Sequence, residues 1–146
     1  MIRKASVDDL AALVELGEAF RRESAIYYPP IEEVQVLNWL AQEGAIVTFL
    51  KEHEGKTVGF MTGLLTTYPF TSKRMASAVL LYVAPAFRGK MIGVALLKAF
   101  TDWAKGRVFQ ERITLHNGID ADRTGHLLEK IGFKPTGKQY VRQVNG

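Results

Sequence analysis

Apolar residues change their spacing several times along this chain, and each change predicts a new element. Met1 to Lys4 read as a short strand. Ser6, with Asp9 three residues later, predicts a capped helix start with Asp in place of the usual Glu. Leu10, Leu13, Val14, Gly17 and Phe20 then mark one face of a first helix. Tyr27-Tyr28-Pro29-Pro30 breaks it, since proline removes a donor and restricts the residue before it. Ile31, Val34, Leu37, Leu40 and Ala41 carry a second helix, ended near Gly44.

Two β-rich runs follow, Ile46 to Glu52 and Thr57 to Thr67, joined by the hairpin signal His53-Glu54-Gly55-Lys56. After a loop containing Pro69, Met75 to Val83 is apolar nearly throughout, which predicts an interior strand. Leu96, Leu97, Phe100, Trp103 and Ala104 carry an amphipathic helix. Arg112 to His116 reads as a strand reached through that helix, so a parallel crossover is expected. Asp120 to Ile131 is a last helix, closed at Gly132-Phe133 by a glycine C-cap. Lys138 to Val144 reads as a final strand, with a further short one around Phe133 to Pro135. The expected fold is α/β with a mixed central sheet, in the order β-α-α-β-β-β-α-β-α-β(-β). No repeat or linker interrupts it, so one domain over residues 1–146 is expected.

Composition narrows the chemistry. At 146 residues the chain can bury a core without staples. It has no cysteine, which excludes disulfides, thiolate catalysis and Cys-ligated metals. The three histidines, His53, His116 and His126, lack ligand spacing, so no metal site is expected. No apolar run approaches the ~20 residues of a membrane span, and Asp8 and Asp9 fall where a signal peptide needs an apolar core. A cytoplasmic protein without membrane partners is the expectation. A net charge of +4 without dense Lys/Arg tracts suits a small polyanion and gives no reason to expect nucleic acid.

The densest signal is Tyr82-Val83-Ala84-Pro85-Ala86-Phe87-Arg88-Gly89-Lys90-Met91-Ile92-Gly93, an apolar strand end, a basic turn and a helix start. The first helical turn presents unpaired N–H groups, and the helix dipole favours negative charge there. Arg88 and Lys90 add positive charge. A phosphate or pyrophosphate is the expected ligand.

This pattern resembles the GNAT superfamily of N-acetyltransferases, over essentially the whole chain. Arg88-Gly89-Lys90-Met91-Ile92-Gly93 falls on the family's Gln/Arg-x-x-Gly-x-Gly/Ala signature, after the Val-x-Pro of Val83-Ala84-Pro85. Leu127-Leu128-Glu129-Lys130-Ile131-Gly132-Phe133 is similar to the family's Leu-Tyr-x-Lys-x-Gly-Phe. The resemblance implies acetyl-CoA as co-substrate. Leu81, Tyr82 and Val83 would meet its pantetheine arm, and Arg88, Gly89, Lys90, Met91, Ile92 and Gly93 its phosphates. It implies direct transfer of an acetyl group to an amine acceptor, a small molecule or a peptide or protein.

The chain departs from the family at four places. Met91 stands where the first motif glycine lies, Leu128 where a tyrosine often protonates the departing thiolate, and Ala121 where many members carry asparagine. Val79, Leu80 and Leu81 leave the central strand without its frequent carboxylate. Candidate replacements are His116 at a strand end, Glu23 before the double proline and Tyr140 on the final strand. His126, Tyr27 and Tyr28 read better as surface or packing residues. The alternative to an enzyme is a module of this fold that binds CoA, an acyl carrier or a protein without efficient turnover. An exposed strand Lys138 to Val144 would also be free to pair with a second subunit.

Overall fold

The computed structural model describes residues 1–114 and 121–145. Strand β1 (Ile2–Lys4) leads through the capping box of Ser6 and Asp9 into α1 (Leu10–Glu23). Helix α2 (Glu33–Ala41) follows the proline break, then β2 (Ile46–His53), β3 (Lys56–Thr67) and β4 (Arg74–Val83). Helix α3 (Ile92–Ala104), β5 (Gln110–Ile113) and α4 (Ala121–Lys130) complete the regular structure among the described residues.

The five strands lie side by side in chain order. Each neighbouring pair is antiparallel except β4 and β5, which run parallel as the helical crossover between them requires. The β2–β3 hairpin turns on Glu54 and Gly55, both at positive φ, as a two-residue type I′ turn demands.

Two cores form on opposite faces of the sheet. Leu13, Leu16 and Phe20 of α1 pack on Leu50, Phe60 and Tyr82. Leu96, Leu97, Phe100 and Trp103 of α3 pack on Phe49, Met61, Ala76 and Ala78. Leu128 brings α4 to the α3 face.

A bulge in β4 divides the strand's facing pattern. Thr62 pairs with Leu80 and Gly63 with Ala78, so Val79 is the extra residue. Below it Ala76 and Ala78 face α3; above it Leu81 and Val83 do, while Leu80 and Tyr82 turn to α1.

The structure corrects the sequence expectations at the C-terminal end. Residues 133–145 form no strand, so neither the Lys138 to Val144 strand nor the one at Phe133 to Pro135 exists. The sheet edge expected there for a second subunit is absent with it. Tyr140, Val141 and Val144 are exposed. A strand needs a partner's ladder, and strand-favouring residues alone do not supply one. In α2, Val36 and Leu40 pack inward, whereas Val34 and Leu37 face solvent. Apolar residues surround this nine-residue helix, so its sequence does not specify which stripe is buried.

Candidate functional site

The β4–β5 ladder runs only from Met75 to Ala78, and Thr114 closes it by donating its N–H to the Ala78 carbonyl at 2.9 Å. Beyond that point Leu81 to Val83 continue β4 toward the basic turn. The Ala84 N–H donates to Val58 O at 2.8 Å, anchoring the exit. Pro85 to Phe87 form one 3-10 turn, and the chain then enters α3 through two left-handed residues. Gly89 has φ 82° and Met91 φ 64°.

Met91 caps α3 with backbone alone; no side chain bonds the first turn. The first α-helical bond runs from Ala95 N–H to Met91 O at 3.0 Å. The amides of the opening turn therefore point away from the helix, where an anion is favoured. Met91 is 65% exposed, so its thioether lies outside the core. Ile92, by contrast, is a core residue. A Cβ added to Gly93 would reach only ordinary contact with Leu81, at 3.9 Å. Gly93 and Leu81 thus share one surface, joining the strand end to the helix start.

Arg88 is used differently from the sequence expectation. Its guanidinium donates to both carboxylate oxygens of Glu23, at 2.5 and 2.8 Å, and its Nε–H to Val83 O at 2.9 Å. The Tyr82 hydroxyl donates to the same carboxylate at 3.0 Å. Arg88 also stacks over the Tyr82 ring. The side chain ties the end of α1 to the end of β4, so at the turn the backbone, not this guanidinium, faces outward. The hydrogen bonds from Arg88, then that from Tyr82, hold the Glu23 carboxyl below the usual carboxylate range. Burial and the Glu23 carboxylate push the Tyr82 hydroxyl up. Glu23 is therefore an ion-pair partner and a weak proton acceptor.

The other candidates disperse. Lys90 sits over the Phe87 ring, 5.4 Å from its centre. Tyr28 packs on Phe20, and Tyr27 is exposed. Tyr140 is 87% exposed in the irregular tail. His126 is exposed on α4, and Leu128 on the same helix packs against the core. His116 lies outside the described residues. No group of three or more metal-ligating side chains converges among the described residues, and no helix there is long and apolar enough to cross a membrane.

One residue escaped the sequence reading. A Cβ added to Gly89 would lie 3.7 Å from the Arg123 guanidinium, which places this α4 side chain against the turn. The sequence signal was there: an arginine in a helix's first turn opposes the helix dipole.

Known proteins match this architecture. The acetyltransferase (GNAT) family model matches residues 13–133. An uncharacterised N-acetyltransferase of Methanocaldococcus jannaschii is 28% identical over 98% of this chain, which spans 65% of that relative's length. A ribosomal-protein-alanine N-acetyltransferase from Brucella melitensis biovar Abortus superposes with a TM-score of 0.76 at 21% identity, covering 99% of both chains. An aminoglycoside acetyltransferase from an uncultured soil metagenomic sample gives 0.78 at 17% identity, over 99% of this chain and 98% of that one. At these identities the superpositions speak for the fold. With the family match spanning α1 to the end of α4, the chain belongs to the acetyltransferase (GNAT) family.

Proposed function

We propose that this protein transfers an acetyl group from acetyl-CoA directly to an amine. The observation that carries this reading is the uncapped start of α3 directly behind Gly89 and Met91, both left-handed, at the end of β4. The amides of the opening turn suit a diphosphate, and the half-buried surface shared by Leu81 and Gly93, where β4 has no β5 neighbour, suits an extended arm bearing amide groups. The thioester supplies an activated acyl group whose thiol, of ordinary pKa about 8.5, departs readily at neutral pH. The protein's own contribution is to hold and orient the reactants, which supports acceleration without a side-chain acid or base.

Glu23 is engaged by Arg88, and Leu128 is apolar and packed against the core, so neither supplies proton transfer. An amine that reaches the site already neutral then does the attacking. A mechanism of this kind makes kcat/KM rise with pH at a slope of one until the acceptor amine's own pKa. An inflection near pH ~6.5 would instead implicate a histidine such as His116.

The test is CoA binding together with thiol release across a panel of amines. Gly93→Glu adds a carboxylate at the helix start, where a Cβ meets only ordinary contact, so it should fold normally and lose CoA affinity. Unchanged affinity would remove the diphosphate assignment. The apolar, half-buried Leu128, where the resemblance expects a tyrosine, favours a second reading as an acyl-CoA-binding module. Tight CoA binding with no thiol released by any amine would select it.

A further inference from the structure

We propose that Arg123, reaching across from α4, is the cationic side chain that grips the ligand's diphosphate at the α3 turn. This rests on the CoA reading above and names a residue that the motif itself does not contain. Arg88, the arginine inside the motif, is held by three hydrogen bonds to Glu23 and Val83 and stacks on Tyr82. Lys90 lies over the Phe87 ring. Arg123 is exposed and has no hydrogen-bond or ion-pair partner among the described residues. Its guanidinium nevertheless comes within 3.7 Å of where a Gly89 Cβ would sit.

Two further features agree. Gly89 is left-handed at φ 82°, and its missing side chain leaves the space between the turn's backbone and Arg123 open. Arg123 also occupies the first turn of α4, where its charge opposes the helix dipole and Asp122 is the residue the dipole favours. An anion at the turn offsets that penalty, because it is attracted to the guanidinium and to the N-terminus of α3. A planar guanidinium with its fixed fork of donors suits paired phosphate oxygens better than an ammonium does.

The experiment is calorimetric titration of the full chain with CoA and with 3′-dephospho-CoA, at low and at physiological ionic strength. Arg123→Ala should raise Kd about tenfold for both ligands at low salt, and less at higher salt. Arg123→Lys should recover part of the loss, and melting temperature should hold in both variants. Lys130→Ala, which removes the same charge from the far end of α4, should leave Kd unchanged. Wild-type affinity in Arg123→Ala, a loss confined to CoA, or an equal loss in Lys130→Ala would each overturn the assignment. If the wild-type chain binds neither ligand, the CoA reading itself fails and this inference falls with it.

Discussion

Met91 holds a conformation that suits glycine, with φ 64° and an exposed side chain. A non-glycine residue there costs about 1 kcal/mol. Met91→Gly should therefore raise the melting temperature by roughly 3–5 °C, read by thermal denaturation. Glu111 illustrates the opposite problem. One of its carboxyl oxygens is buried without a partner, and burial pushes the carboxyl up, with the Thr101 hydroxyl offsetting part of that. Replacing it by methionine should stabilise the protein by about 1 kcal/mol at neutral pH, in denaturant titrations. The position of Met91 could be read from the motif, because local sequence dictates a left-handed residue at that turn. The role of Arg88 could not. Its partner Glu23 lies 65 residues away, and no local pattern reports a contact of that range.

At the scale of elements, periodic runs were legible and unsupported ones were not. The stripe Leu96, Leu97, Phe100, Trp103 specified α3 because one wide apolar face leaves a single way to pack. The seven residues from Lys138 to Val144 include the strand-favouring Tyr140, Val141 and Val144 yet form none, since the neighbour they need lies outside their own sequence. Contact between α3 and β3 is close at Gly63, where a Cβ would fall 2.4 Å from Phe100 Cε1 and 3.3 Å from Ser77 O. Gly63→Ala should cost about 1–3 kcal/mol, measured by urea unfolding. The bracket of Glu23 and Arg88 joins α1 to β4 in the same manner. Glu23→Gln should cost about 1 kcal/mol at neutral pH, by the same measurement, because both side chains are only partly buried.

For the molecule as a whole, the carboxylates set the acid limit. Arg3 and Ser6 hydrogen-bond Asp9 and draw its carboxyl down, with that of Arg3 dominant, and Arg88 does so for Glu23. Groups with lowered pKa stabilise the fold above the ordinary carboxylate range. That stabilisation is lost as pH falls through their depressed folded values. Glu111, raised by burial, works in the other direction and gains as it protonates. With two groups against one, the melting temperature should hold from neutrality and fall below about pH 4. The double variant Asp9→Asn/Glu23→Gln should be less stable at neutral pH and should flatten that acid limb, as followed by circular dichroism.

Val79 has a reach beyond its own position. Because side chains alternate, one supernumerary residue reverses the handedness of every assignment after it. Drawing Val79 into a regular ladder, with no bulge, would send Leu81 and Val83 toward α1 and swing Tyr82 under α3, parting its hydroxyl from Glu23. The two hydrophobic layers would trade occupants along the upper half of the strand. The seat of the ion pair and the surface shared with Gly93 would be lost together, although no residue of either had been changed.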